Sequence, residues 1–168
     1  MAEAISDTGP ILHLHEIGSL QALRCFGELE IPDLVARELE SFDLSADLVA
    51  DAVGGRFQVT EVAKSDWQVL ISLEGARLQP ADAQVLALAR TAEFRTPVLT
   101  DDLEVRRVVE TENGLAVGSI GILVRNYHLG HLARFELEER VAQLLTESTL
   151  HMSSPFRRYV RRLIRDIE

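Results

Sequence analysis

The feature of this sequence that most constrains its fold is the alternation of short apolar segments with longer segments of helical spacing. The short segments indicate β-strands at residues 4–6, 29–31, 57–62, 97–100 and 115–117. Apolar residues that recur every three or four positions predict helices, among them 80–93, 103–112, 135–145 and 155–167. Strands that alternate with helices predict an α/β fold with a mainly parallel central sheet flanked by helices, and the alternating pattern of 57–62 favours a sheet edge.

Length and composition are those of one soluble globular domain. The chain has 168 residues, of which 46% are apolar and 26% charged. The single cysteine, Cys25, cannot form an internal disulfide, which predicts a reducing compartment such as the cytoplasm. No apolar run approaches the ~20 residues needed to span a bilayer. The N-terminus lacks the basic segment and apolar core of a signal peptide. We therefore expect no membrane association.

The charge of the chain is strongly acidic and unevenly distributed. A net charge of −10 argues against binding nucleic acid by general neutralisation of phosphates. It does not exclude a nuclease, because a cluster of metal-binding carboxylates itself contributes negative charge. The C-terminal segment is basic, and its arginines are spaced so that they share one helix face: Arg157, Arg158, Arg161, Arg162 and Arg165. This face is either simply solvated or a contact surface for RNA or a partner.

Four acidic residues occur where a parallel sheet places its functional groups. Asp7 and Asp101 end apolar strands, whereas Glu38 and Asp82 lie near the starts of apolar helices. Strand ends and helix starts meet at one edge of such a sheet. Carboxylates gathered there repel one another unless a cation neutralises them, and Mg²⁺ and Mn²⁺ prefer oxygen ligands. The pattern predicts a divalent-metal site, with Asp7 and Asp101 as direct ligands and Glu38 and Asp82 as ligands or as proton acceptors from metal-bound water.

Each of these acids also has an ordinary structural explanation. Asp7 is placed to cap the helix after it, Glu38 fits a solvated helix face, and Asp82 in a first helical turn meets the helix dipole favourably. Asp101, at the end of a buried strand, is the hardest to explain without a functional role. Its neighbour Asp102 is either a helix cap or an accessory ligand.

Five short motifs, taken in order, resemble a known family. They are residues 7–12 with Ile17-Gly18, Ile31-Pro32 followed by Glu38-Leu39, Asp82-Ala83 before an Ala/Leu-rich helix, 99–102, and 114–123. Together they resemble the PIN-domain family, in the branch of VapC-like toxins and their predicted nucleic-acid-binding relatives. The resemblance covers about residues 5–129, and the remainder is similar to the C-terminal extension of a PIN subgroup that is less characterised as nucleases.

The resemblance implies a three-layer PIN-like α/β fold over residues 1–133, with a helical C-terminal extension, 134–168, packed on the same domain. It also implies a Mg²⁺- or Mn²⁺-dependent endoribonuclease that hydrolyses RNA and forms homodimers. For toxin members it further implies a small antitoxin protein that blocks the site. Asp7, Glu38, Asp82 and Asp101 match the acidic positions of the family. Ser119 matches a small hydroxyl residue near the metal.

Other candidate residues are less informative. Arg106 and Arg107 are expected either to pair with helix acids or to touch phosphate. The histidines show no zinc spacing with cysteine and are expected to be structural or exposed, while Cys25 is expected to pack as a small core residue. The histidines are His13, His15, His128, His131 and His151.

Three other functions are alternatives to the nuclease. A PIN-fold module that binds nucleic acid or protein with little catalysis is the main alternative, and the acidic net charge favours it. An aspartate-nucleophile phosphatase needs a second acid two residues after the first, where this chain has Gly9. A dinucleotide-binding protein needs Gly-x-Gly-x-x-Gly after the first strand, and that motif is missing here.

Overall fold

The computed structural model describes residues 3–74 and 77–168. Within them the strands are β1 (Ala4–Ser6), β2 (Leu29–Pro32), β3 (Phe57–Thr60), β4 (Val98–Leu99) and β5 (Ala116–Val117). The helices of the first half are α1 (Thr8–Glu16), α2 (Asp33–Glu40), α3 (Ala46–Ala52), α4 (Lys64–Glu74) and α5 (Pro80–Thr91), with a 3₁₀ helix at Leu20–Phe26. Those of the second half are α6 (Leu103–Thr111), α7 (Ser119–His128), α8 (Arg134–Thr146) and α9 (Ser154–Asp166).

The described strands form one parallel sheet in the order β3-β2-β1-β4-β5. The chain runs outward from β1 to β2 and β3, then returns to place β4 on the other side of β1. The topological switch point therefore lies between β1 and β4, which is where ligands bind in sheets of this kind. β3 is an edge strand, as its alternating sequence predicts.

Helices cover both faces of this sheet. α5 packs on β1 and β2 and contacts α6, while α1, α7 and the 3₁₀ helix pack against one another. The strands supply fully buried side chains such as Ile5, Ile31 and Leu99, and the helices add Leu14, Leu86 and others to the same core. The α/β fold with a parallel sheet and flanking helices, predicted from the sequence, is confirmed.

The two C-terminal helices are attached by apolar contacts and by arginine. Leu137 and Leu144 of α8 and Val160 of α9 are buried. The guanidinium of Arg134 donates to the carbonyls of Arg165 and Ile167, at 2.8 Å each, and so ties the end of α9 to the start of α8. Among the helices in the described ranges, none has the length and hydropathy required to cross a membrane.

One local expectation is met and another differs from the structure. The helical spacing that leads to Leu20 and Leu23 is expected to be broken at Gly18, and the chain turns there (φ 66°) before a separate 3₁₀ helix. Ser65 and Asp66 are predicted to cap α4, but that helix begins at Lys64 and places both in its first turn.

Candidate metal and nuclease site

The central element of the site is the junction between the ends of β1 and β4. The backbone N–H of Asp7 donates to the carbonyl of Leu99 at 2.9 Å, which continues the pairing of the two strands. The side chain of Asp7 accepts from the N–H of Thr8 at 2.7 Å and from the Thr100 hydroxyl at 3.0 Å. Asp7 therefore caps α1, as one interpretation of the sequence expects, and also lies at the switch point of the sheet.

Asp7 is a buried carboxyl group, with 5% of its surface exposed. Its pKa is raised from 3.8 to about 7, mainly because burial disfavours the charged form. The charges of Asp82 and Asp102 raise this pKa further, whereas the hydrogen bonds from Thr8 and Thr100 lower it. The protein thus holds a carboxyl group at the edge of its sheet in a setting that resists ionisation unless positive charge is supplied.

Asp82 has two roles in the structure. Its Oδ2 accepts from the backbone N–H of Gln79 at 2.9 Å, which satisfies a free donor at the start of α5. Its pKa is raised to about 6, first by burial and then by the charges of Asp102 and Glu38, against the lowering effect of the Gln79 N–H. Asp82 therefore both caps α5 and belongs to the acidic cluster.

Glu38 lies on the exposed side of α2 and is joined to the site by a threonine. Its Oε2 accepts from the hydroxyl of Thr8 at 2.5 Å. Because Thr8 directly follows Asp7, this bond fixes Glu38 beside the start of α1. Glu38 is close enough to raise the pKa of Asp82, so it belongs to the same cluster.

Asp101 is enclosed by hydrogen-bond partners from two helices. Its Oδ1 accepts from the N–H of Ser119 at 2.8 Å, and its Oδ2 accepts from the Ser119 hydroxyl at 2.5 Å. Nδ1 of His13 lies 2.8 Å from the same Oδ2. Asp101 thus joins α1, the end of β4 and the start of α7. Ser119, which the resemblance matches to a hydroxyl residue near the metal, donates to this carboxylate from its N–H and its hydroxyl.

Asp102 caps α6 and contributes charge to the cluster. Its Oδ1 accepts from the N–H groups of Glu104 and Val105 at 2.8 and 2.9 Å, as expected of a cap. Its own N–H donates to the Thr100 hydroxyl at 3.1 Å. Its charge raises the pKa of both Asp7 and Asp82. The residue predicted as accessory therefore acts electrostatically on two of the main candidates.

A glycine and an arginine line the next part of the edge. A Cβ on Gly118 would lie 2.8 Å from Asp101 Oδ1 and 3.3 Å from Nη2 of Arg106, so a side chain there would displace the carboxylate. Arg106 donates through Nη1 to the carbonyl of Ala116 at 3.0 Å and pairs with Glu110 at 3.3 Å. Its guanidinium is thereby held beside the acidic edge.

The donor set suits a hard divalent cation. Asp7, Glu38, Asp82 and Asp102 carry the oxygen atoms that such a cation prefers, and their mutual charges raise the pKa values of Asp7 and Asp82 in addition to the larger effect of burial. In the arrangement of side chains found in the described part of the chain, no group of three or more Asp, Glu, His or Cys residues is positioned to hold an ion. The residues thus fit a metal by chemistry and charge, and closer approach of these side chains would be needed to enclose it.

The five predicted contact arginines are not equivalent. Arg157 is partly buried and donates to the carbonyls of Leu145 at 2.9 Å and Met152 at 3.3 Å, so it attaches α9 to the body. Arg158, Arg161, Arg162 and Arg165 are exposed on α9, and Arg165 pairs with Asp166. Cys25 is half-buried and packs against the core, as expected.

Three site residues escaped the interpretation of the sequence. His13 was expected to be structural or exposed, yet it contacts Asp101, and Thr8 and Thr100 donate to Glu38 and Asp7. The sequence places Thr8 directly after Asp7 and Thr100 directly before Asp101, and these positions could have identified both threonines. His13 lies six residues after Asp7, and spacing alone does not show which helix face meets the sheet edge.

Comparison with known proteins identifies the family of this chain. A family model described as a PIN domain matches residues 3–166. Neither the curated proteins nor the solved structures give a significant match. The match extends across the predicted boundary at residue 133 and so includes both C-terminal helices. PIN domains are generally nucleases, and they typically use divalent metals. The chain belongs to the PIN-domain family.

Proposed function

We propose that this protein is a Mg²⁺- or Mn²⁺-dependent endoribonuclease that hydrolyses phosphodiester bonds of RNA. The observation that carries the proposal is the acidic cluster at the switch point, where Asp7 and Asp82 have pKa values raised to about 7 and about 6. A protein that only binds partners has no need to gather carboxylates that repel one another. Perturbed carboxyl groups at the ligand-binding edge of a sheet favour a catalytic site.

The four carboxylates of the cluster would hold the metal, and Asp101 would position them. Asp7, Glu38, Asp82 and Asp102 influence one another by charge, whereas Asp101 accepts from the N–H and the hydroxyl of Ser119 and lies 2.8 Å from Nδ1 of His13, which joins it to α7 and α1. We therefore assign Asp101 the role of fixing the 100–102 segment, in place of the direct metal ligation predicted from the sequence. Ser119 and His13 support that role.

The residues of the cluster have two chemical tasks in this proposal, which are to hold a metal ion and to accept a proton. A bound Mg²⁺ or Mn²⁺ acidifies a water and neutralises charge that develops on the scissile phosphate. Asp7 and Asp102 would hold that ion at the sheet edge. Glu38 is exposed and is held through Oε2 by Thr8, which leaves Oε1 to accept the proton of an attacking water.

The narrower parts of the proposal come from the sequence resemblance. They are the preference for RNA, the homodimer, the cytoplasmic location, and the role as a toxin blocked by a small antitoxin. A short upstream reading frame with a DNA-binding N-terminus would support the toxin role.

The experiment is RNA cleavage with Mg²⁺ or Mn²⁺, and then with neither ion. We expect cleavage by the wild type and a loss of at least about 100-fold in Asp7→Asn and Asp102→Asn, as for removal of groups that stabilise a transition state directly. Asp47→Asn is the matched control, because Asp47 is an exposed acid in the first turn of α3. Equal cleavage by all four proteins would show that the cluster is not catalytic.

A binding module with the same fold is the second candidate. The observation that favours it is that no three carboxylates in the described residues enclose an ion. Calorimetry with Mn²⁺ separates the two candidates. Binding that is lost in Asp7→Asn supports the nuclease, and the absence of binding by the wild type supports the module.

A further inference from the structure

A long groove leads from the acidic site to the C-terminal helix. It has a volume of about 800 Å³ and runs between the start of α7, the segment 150–153 and α9. Its inner end is lined by Asp101 and Gly118, and its outer wall by Phe156, Tyr159 and Leu163. A ligand that lies in this groove therefore reaches the edge of the sheet where the carboxylates gather.

The outer wall of the groove carries a pair of exposed aromatic rings. Phe156 and Tyr159 stack with ring centroids 6.0 Å apart and an angle of 29° between their planes. Their exposed fractions are 45% and 57%, although Val160 and Ile164 of the same helix are buried. α9 is thus fixed by its apolar side and presents two flat rings to the groove, where they leave apolar surface uncovered.

The inner end of the groove contains one guanidinium group. Arg106 lines it and is anchored by the carbonyl of Ala116 and by Glu110. The acid that shares this end, Asp101, has its oxygens bonded to Ser119 and close to His13, which reduces its repulsion of an anion. The groove thus contains one fixed guanidinium, and the arginines of α9 lie outside its lining in the described part of the chain.

Arginine also borders the aromatic rings. Arg162 follows Tyr159 by three residues, so the two side chains are neighbours on the surface of α9. An anion near the ring of Tyr159 would therefore meet a second guanidinium. The groove thus offers one guanidinium and two flat rings, the kinds of group with which proteins bind the phosphates and bases of single-stranded nucleic acid.

We propose that this groove binds the nucleotides that flank the scissile phosphate of a single-stranded nucleic acid. Arg106 contacts a backbone phosphate, and an unpaired base stacks on Phe156 and Tyr159. This inference rests on the proposed function, because it states where the nucleotides beside the scissile phosphate would lie. A duplex keeps its bases stacked inside and cannot reach the rings, so the groove selects single strands.

The test measures binding in the cleavage-blocked Asp7→Asn background. The probes are a short labelled single-stranded RNA and the duplex of the same sequence, with a fluorescent adenine analogue that is quenched when it stacks on an aromatic ring. We expect Phe156→Ala with Tyr159→Ala to weaken single-strand binding about tenfold or more and to abolish the quenching. Arg106→Gln should reduce the dependence of affinity on salt by about one phosphate contact, and Arg106→Lys should retain it.

Two controls accompany these variants. Phe135→Ala removes an aromatic ring of α8 that is 71% exposed and lies outside the groove lining, so it should bind like the parent protein. Thermal unfolding of each variant checks that α9 stays in place.

The outcomes separate this inference from the proposed function. Unchanged affinity in the double variant, equal affinity for duplex and single strand, or no binding of single strands would overturn the inference. The last result would leave the apolar groove as a surface for a protein partner. Tyr159-dependent binding without RNA cleavage by the wild type would support the groove and contradict the nuclease. RNA cleavage that is as fast in the double variant as in the wild type would support the nuclease and contradict the groove.

Discussion

The hydroxyl of Thr100 donates to Asp7 at 3.0 Å and accepts from the backbone N–H of Asp102 at 3.1 Å. One buried side chain therefore determines where two of the clustered acids lie. The same contact joins the end of β1 to the residue after β4. The switch point of the sheet is thus closed by a side chain as well as by strand pairing.

Removal of this hydroxyl should destabilise the fold. We expect Thr100→Val to lower the free energy of unfolding by about 1–3 kcal/mol, because a buried carboxyl oxygen and an N–H lose their partner. The pKa of Asp7 should rise further, since the bond from Thr100 lowers it. Denaturant unfolding measures the loss. Thr91→Val, which removes a hydroxyl bonded within its own helix, should change stability by less than about 0.5 kcal/mol.

Stability without divalent metal should fall as the pH rises from about 4 to about 7. Asp7 keeps its proton in the folded state up to about pH 7, whereas in the unfolded chain it ionises near 3.8. The folded state binds more protons in that window, so each rise in pH favours unfolding. Asp7→Asn should flatten this dependence and be more stable than the wild type at pH 8, by roughly 2–4 kcal/mol. A wild-type stability that is constant from pH 4 to 8 would contradict the burial of an ionisable Asp7.

Divalent metal should stabilise the protein more at high pH than at low pH. At pH 8 the cluster is ionised and repulsive, and a cation relieves the repulsion, whereas at pH 5 Asp7 and Asp82 hold protons that a metal must displace. We expect millimolar Mn²⁺ to raise Tm at pH 8 and to have little effect at pH 5. The shift should be lost in Asp82→Asn and retained in Asp47→Asn. Equal shifts at both pH values would point to a metal site elsewhere.

The neighbouring acids Asp101 and Asp102 should respond oppositely to amide substitution. Asp101→Asn removes an acceptor from Ser119 and His13 and should cost about 1.5–3 kcal/mol of stability. Asp102→Asn retains the oxygen that caps α6 and should be nearly as stable as the wild type, but bind Mn²⁺ at least about tenfold more weakly. Unfolding and calorimetry on both variants measure the contrast, and the reverse pattern would restore Asp101 as the ligand.

A single methyl group at Gly118 should disturb the site. Gly118→Ala places a Cβ 2.8 Å from Asp101 Oδ1, and we expect a loss of about 1–3 kcal/mol with reduced RNA cleavage. The backbone φ of −87° is open to alanine, so crowding alone would be responsible. Gly9→Ala is the matched control, because its Cβ would lie 3.5 Å from Asp101 in ordinary contact. A Gly118→Ala variant with wild-type activity and stability would show that the carboxylate has room to move.

Much of the fold was predictable because the signals are local. Each strand has an apolar run bounded by turn residues, and α5, α6, α8 and α9 have clear spacing and starts. Gly18 likewise marks the break between α1 and the helical spacing of Leu20 and Leu23. The spacing does not show that the second segment is a 3₁₀ helix, because apolar residues three positions apart fit either type of helix.

The site was predictable in its location but not in the roles of its members. Asp101 and Asp102 both follow Thr100, and successive side chains at the end of a strand point in different directions. Which one joins the cluster depends on Ser119, eighteen residues later, and on the face of α1 that carries His13. Arg157 shows the same limit, since its spacing places it with the exposed arginines while its long side chain reaches the carbonyls of Leu145 and Met152.

β4 and β5 contribute only two residues each to the sheet. Strands this short supply few ladder bonds, so the side chains of Thr100, Asp101 and Ser119 hold the edge in shape. Sequence change at this edge is therefore coupled. Replacement of Asp101 would leave both Ser119 and His13 without their shared partner, so these three positions form one structural unit.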